Sequence, residues 1–145
     1  MSWPAPQPGL VIRYSYLWSG EALTGQEEGR KDRPCAVVLA ITDDGGRTRV
    51  YALPITHSPP ASGEAAIEIP PVVKARLGLD GERSWVVLTE ANVFAWPGPD
   101  LRFLRGKGPE SSAYGFLPPG LFRVIRDGFL AADRDGKTAM VMRTE

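Results

Sequence analysis

Pro34-Cys35-Ala36-Val37-Val38-Leu39-Ala40-Ile41, the turn Asp43-Asp44-Gly45-Gly46, and Arg49-Val50-Tyr51-Ala52-Leu53-Pro54-Ile55-Thr56 together decide the fold. The first run is apolar at nearly every position and long enough only for a buried strand. Two aspartates and two glycines then signal a hairpin. The third run is rich in β-branched and aromatic residues and returns as the partner strand. Pro54 has no N–H to give to a ladder, so it predicts a sheet edge or a strand end there.

Working outward, Leu10 to Trp18 reads as a first strand, and Ser19 to Asp32 as a polar loop with three glutamates and three glycines. Downstream, Ala66-Ile67-Glu68-Ile69 alternates like a short strand. Pro70 and Pro71 open, and Gly78 closes, a short helix over Val72–Leu77, the expected proline-first, glycine-last asymmetry. Ser84–Thr89 and Asn92–Trp96 are two more strands. Pro97–Ser112 carries no period and reads as an inserted loop. The last pattern is helical, with Leu117, Leu121, Val124, Ile125, Phe129 and Ala132 on one stripe behind Pro118 and Pro119. Arg123, Arg126 and Asp127 fall on its other side. Mainly β with α is the predicted class: a barrel-like sheet capped by helices.

The chain has 145 residues, with 16 glycines and 14 prolines that punctuate it into short pieces, against a helical bundle. Its length suits one domain spanning residues 1–145. With 43% hydrophobic and 23% charged residues it has the composition of a globular protein. No run approaches the roughly 20 apolar residues of a membrane helix. The first residues lack the basic and apolar regions of a signal peptide. A cytoplasmic protein without membrane contact is the expectation. Seventeen basic and 17 acidic side chains cancel, but residues 101–145 hold 8 basic and 5 acidic groups, and a local basic cluster ends at Arg33.

Several chemistries lack their residues. One cysteine and one histidine cannot build a zinc cluster. There is no phosphate loop and no dinucleotide fingerprint, so neither a metal nor a cofactor is expected. Cys35 sits inside the apolar run and reads as a buried, inert thiol. Two places remain. Arg30-Lys31-Asp32-Arg33 stands where loop becomes sheet. A guanidinium there offers a planar fork that matches phosphate oxygens, although a solvated charge run fits the same residues. Thr56-His57-Ser58 ends the third strand with two hydroxyls and the only imidazole, groups suited to acid-base work on a phosphate ester. A polar turn is the plainer reading. Alternation would send Thr56 and His57 to opposite faces unless the strand twists. Among the aromatics, Tyr14, Tyr16, Trp18 and Trp96 suit either base stacking or a core.

Gly29-Arg30-Lys31-Asp32-Arg33-Pro34-Cys35-Ala36-Val37-Val38-Leu39 resembles the loop-into-strand signature of the MazF/PemK toxin family. Leu53-Pro54-Ile55-Thr56 looks like that family's Pro-Ile-Thr strand end. Gly78-Leu79-Asp80 with Ser84–Glu90 resembles its later strand. The resemblance covers roughly Gly9 to Pro97, with the final helix added. It implies a small SH3-like β-barrel with a short helix and a C-terminal amphipathic helix, forming a homodimer. It further implies a type II toxin-antitoxin module in which the toxin is a metal-independent endoribonuclease on single-stranded RNA and a small antitoxin protein is its partner. The family's active pair maps onto Arg33 and Thr56. His57 is added here as an acid-base candidate for its near-neutral reference pKa, and Arg30, Lys31, Ser58 and Trp18 as RNA contacts. Leu10 stands where many relatives place an acidic residue. The alternative is a non-catalytic barrel that binds RNA or protein through the same groove.

Overall fold

A computed structural model describes residues 3–25, 29, 31–104 and 112–143. Among the described residues, eight strands and three helices follow one another as β1 (Leu10–Tyr14), α1 (Ser19–Leu23), β2 (Arg33–Thr42), β3 (Thr48–Thr56), β4 (Ala66–Glu68), α2 (Pro71–Leu77), β5 (Trp85–Val87), β6 (Glu90–Ala95), β7 (Ala113–Phe116), α3 (Pro119–Arg134) and β8 (Ala139–Met142).

The β2–β3 hairpin is the spine. Its turn is closed by Asp43, whose Oδ1 accepts the N–H groups of Gly45 and Arg47 at 2.9 and 3.0 Å. Cys35 pairs with Pro54 and Thr42 with Thr48, with one irregularity between Val37 and Leu39. Successive side chains of a strand point to opposite faces, and here both faces are covered. Ala36, Val38, Leu53 and Ile55 join a core with Val73 and Leu77 of α2 and Ile125 and Phe129 of α3. Cys35, Val37, Val50 and Ala52 join a second core with Tyr14, Tyr16 and Phe94. Burial on two sides explains the unbroken apolar run.

The sheet runs β4-β5-β3-β2-β1-β7, with β6 on β3 and β8 parallel to β6. Mainly β with α is therefore the observed class. Among the described residues no pairing joins β7 back to β4, so closure into an SH3-like barrel is not part of this ladder. β3 is an interior strand, contrary to the edge that Pro54 suggested. It pairs with β6 through Arg49–Ala52 and with β5 through Ile55 and Thr56. Pro54 lies between those ladders, so its missing N–H falls at a seam.

Other boundaries shift for local reasons. The first strand stops at Tyr14, and Ser19–Leu23 within the expected polar loop is a helical turn whose first N–H, that of Trp18, is held by the Glu21 carboxylate at 3.0 Å. α2 starts at Pro71 and ends on Gly78, whose φ of 74° is the left-handed cap a glycine adopts easily. Val124 leaves the predicted stripe, at 53% exposure, and Leu117 is buried just ahead of α3. β7 and β8 escape sequence reading: β7 is squeezed between the aperiodic loop and the prolines ahead of α3, and β8 pairs in parallel with β6 without a hairpin turn to announce it. No described helix is long and apolar enough to cross a membrane.

Candidate functional site

The starts and ends of the spine strands open onto one cleft of about 610 Å³. Arg33 and Pro34 of β2 and Ile55 and Thr56 of β3 form its floor. Trp18, Lys31 and Asp32 stand on one wall. His57, Ser58, Lys74, Asp80 and Ser84 stand on another, with Tyr114 of β7 beside them. Six of the seven residues singled out from sequence thus share this space: Arg33, Thr56, His57, Lys31, Ser58 and Trp18. Arg30, the seventh, lies outside the described residues, as do Glu27 and Glu28.

The strand-alternation obstacle disappears because β3 ends at Thr56. The Ser58 N–H donates to Thr56 Oγ1 at 3.2 Å, turning the chain so that His57 belongs to a bend and not to the pleat. Gly29, at the head of the basic segment, packs so closely on β1's extension that a Cβ there would overlap the Tyr16 carbonyl.

Arg33 is half-buried and sparsely partnered. Its guanidinium lies 4.8 Å from the centre of the Trp18 ring, and Nη1 donates to the Ile55 carbonyl in a long contact of 3.4 Å. Its Nε is buried with no hydrogen-bond partner. No carboxylate among the described residues pairs with it: neighbouring Asp32 faces Arg13 and Arg102, each at 3.5 Å. The cation is thus held by stacking on Trp18, with charge left for an anion. A smaller cavity of about 330 Å³, walled by Tyr16, Trp18, Glu21, Lys31 and Arg33, adjoins the other side of that stack.

The opposite wall is tightly bonded. Lys74, only 5% exposed in its side chain, donates to Asp80 Oδ1 at 2.7 Å, to Ser84 Oγ at 2.7 Å and to the Glu82 carbonyl. Asp80 Oδ2 lies 2.8 Å from His57 Nε2. The Lys74 ammonium holds the Asp80 carboxyl below its ordinary range, aided by the Glu82 N–H and by His57. His57, Asp80 and Glu82 also place one ligand atom each within 4.8 Å of one another. All three are exposed, and Lys74 already bonds the other oxygen of Asp80.

Sequence reasoning missed Lys74, Asp80 and Tyr114. Lys74 had a signal: it lies within the apolar positions Val73 and Leu77 of a capped helix, where a lysine needs a buried partner. Tyr114 had none, because β7 was not read. Burial pushes the Tyr114 hydroxyl above its usual range, so it stays protonated and can donate. Of the other aromatics, Tyr14 and Tyr16 are core residues, with Tyr14 stacked on Phe94 at 4.5 Å, and Trp96 packs near Phe94. Burial raises the Cys35 thiol beyond any nucleophilic range. Among the described residues of the basic C-terminal third, no arginine or lysine lines the cleft: Arg126 pairs with Asp127, Arg134 with Asp135, and Arg143 is interior. Comparison of the chain with models of known families, with curated proteins and with solved structures found no match.

Proposed function

We propose that this chain is a MazF/PemK-like endoribonuclease toxin that cuts single-stranded RNA in the cytoplasm without a metal. One observation supports the reading above all others: a guanidinium with no carboxylate partner among the described residues, a hydroxyl and the chain's only imidazole converge on one cleft, flanked by an indole and a lysine. Attack by the 2′-hydroxyl of the RNA itself needs charge stabilisation and proton transfer, which these side chains supply. His57 takes the 2′-hydroxyl proton as the O2′–P bond forms, and Arg33 stabilises the charge growing on the phosphate oxygens. The Thr56 hydroxyl holds one of those oxygens. The P–O5′ bond then breaks, the 5′-oxygen takes a proton from water, and His57 returns its proton to solvent. The products are a 2′,3′-cyclic phosphate and a 5′-hydroxyl. Trp18 stacks an unpaired base, and Lys31 and Ser58 contact the strand. The same reading gives the chain a small antitoxin protein as partner and a homodimeric state.

The test is purified protein with mixed-sequence single-stranded RNA and a chelator, against Arg33→Ala. Cleavage by the wild type and its loss in the variant is the expected result. Full-rate cleavage by the variant would assign the activity elsewhere. RNA binding without cleavage would favour the non-catalytic barrel.

A further inference from the structure

We infer that Asp80, clamped by the buried Lys74, is a positioning residue that fixes the His57 ring with Nε2–H toward the carboxylate and leaves Nδ1 as the nitrogen open to substrate. The role in catalysis rests on the ribonuclease reading above; the ring's orientation does not.

The geometry divides the work between the two carboxylate oxygens. Oδ1 accepts from Lys74 Nζ at 2.7 Å and from the Glu82 N–H at 3.1 Å. Oδ2 is left to meet His57 Nε2 at 2.8 Å. Lys74 in turn is anchored by Ser84 and the Glu82 carbonyl and rises from a helix with defined ends at Pro71 and Gly78. The carboxylate therefore has little freedom to follow the ring, and the ring must conform to it. An ionised carboxylate only accepts, so the proton of this contact belongs to Nε2. A neutral imidazole has one proton, so Nδ1 then carries the lone pair.

Among the described residues, Nδ1 is not taken by a neighbour. Glu82 Oε2 is 3.9 Å from it, beyond hydrogen-bond reach, on a side chain mostly in solvent. The other charged groups of the cleft are Lys31, Asp32, Arg33 and Glu64, and none has a hydrogen bond or ion pair to the ring. A lone pair directed by a fixed acceptor on the far side of the ring is the arrangement a general base needs. Thr56 is its chain neighbour, which brings that nitrogen to the same end of β3 as the phosphate-holding hydroxyl.

His57 is the chain's only histidine, so its ring nitrogens can be read without ambiguity. Long-range ¹H–¹⁵N correlation spectra of the uniformly ¹⁵N-labelled full chain are followed until the imidazole is neutral. The expected spectrum is that of the Nε2–H tautomer, collapsing to the averaged pattern of a free imidazole in Asp80→Ala. In parallel, kcat and KM for a single-stranded oligoribonucleotide are measured for the wild type, His57→Ala and Asp80→Ala. Asp80→Ala should lower kcat roughly 10- to 100-fold with KM little changed, and His57→Ala should lower it at least as far. A dominant Nδ1–H tautomer or an averaged ring in the wild type would overturn the clamp whatever the nuclease assay gives. An unchanged kcat in Asp80→Ala alongside active wild type would remove Asp80 from catalytic positioning. An Nε2–H tautomer in a chain that cuts no RNA would overturn the ribonuclease reading while leaving the clamp in place.

Discussion

Arg143 and Arg33 both set a guanidinium over an aromatic ring, 5.3 Å from Tyr14 and 4.8 Å from Trp18, yet they end in opposite electrostatic states. Arg143 follows β8 and is 1% exposed in its side chain. It donates to the Ser15 carbonyl at 2.6 Å and to Asn92 Oδ1 at 2.8 Å, and lies 3.0 Å from Asp100. Asn92 is itself spent on Leu17, accepting its N–H at 2.9 Å and donating to its carbonyl at 2.7 Å. Arg33 has one long contact and a stacked indole. An interior cation persists only with partners, and Arg143 has two acceptors on Nη1 and the Asp100 carboxylate, although its Nε, like that of Arg33, is buried without a hydrogen bond. Arg33 stands on the cleft floor, so a phosphate can reach it without first breaking an ion pair to any described residue. The contrast separates a cation that closes the fold from one left open for an anion.

Removing Arg143 should give the largest effect. Arg143→Ala leaves Asp100 and the Asn92 oxygen short of a buried partner and should cost about 3–5 kcal/mol of stability. Chemical denaturation of variant and wild type measures it. A midpoint that does not move would mean that Arg143 does not close the fold, and the contrast would fail at its first end.

Arg33→Ala comes next and reads on the other axis. Its expected loss is on the order of 10²- to 10³-fold in RNA cleavage, with stability within about 1 kcal/mol of wild type. Arg33→Lys keeps the charge but loses the planar fork, so it should fall between the two. If Arg33→Ala unfolds the chain as readily as Arg143→Ala, the two arginines do the same job.

One end of this contrast was readable beforehand, and the unread part has physical causes. The stretch Pro34–Thr56 announced its hairpin because an apolar run, a turn rich in aspartate and glycine, and a returning β-branched run agree with one another. The Pro70–Gly78 helix was legible because its caps are local. Arg33, Thr56 and His57 could be nominated for the same reason: they sit at ends of legible strands. Their convergence with Lys74 and Asp80 could not be, because it depends on β5 pairing with the end of β3, Ile55 with Val86 and Thr56 with Trp85, a contact between residues far apart in the chain. Arg143 was hidden for a similar reason. Its partners Ser15, Asn92 and Asp100 are scattered along the chain, and β8 pairs in parallel with β6, a register no neighbouring turn dictates.

A smaller effect belongs to Asp80, on the bonded wall facing Arg33. Its carboxyl is held below the ordinary value chiefly by Lys74. A group with a depressed folded-state pKa contributes stability that is present above its unfolded value, near pH 4, and is lost as pH falls through the folded value. Wild type should therefore lose this contribution below about pH 4. Asp80→Asn should be less stable at pH 7 and lack that part of the acid limb. The carboxylate is half-exposed, so the difference should be no more than about 1 kcal/mol. Stability measured from pH 7 to pH 3 decides it, and parallel curves for the two proteins would sever Asp80 from Lys74 energetically.

The smallest effect should come from Lys31, two residues from Arg33 and different in kind. Its side chain is exposed, on a loop rather than a strand, and has no hydrogen bond or ion pair among the described residues. Such a lysine acts as a hydrated point charge that neutralises one phosphate and releases its condensed counterion. Lys31→Ala should therefore weaken binding of a non-cleavable 2′-deoxy oligonucleotide and reduce the slope of log K against log salt by about 0.7. It should leave kcat on RNA close to wild type, because a group that meets ground state and transition state alike does not change the barrier between them. Fluorescence anisotropy across a salt series supplies the slope, and single-turnover cleavage supplies the rate. A fall in the chemical rate as large as that of Arg33→Ala, with the salt slope untouched, would show that Lys31 meets the reacting phosphate, and that the open charge of this cleft is shared between two residues and not concentrated on Arg33.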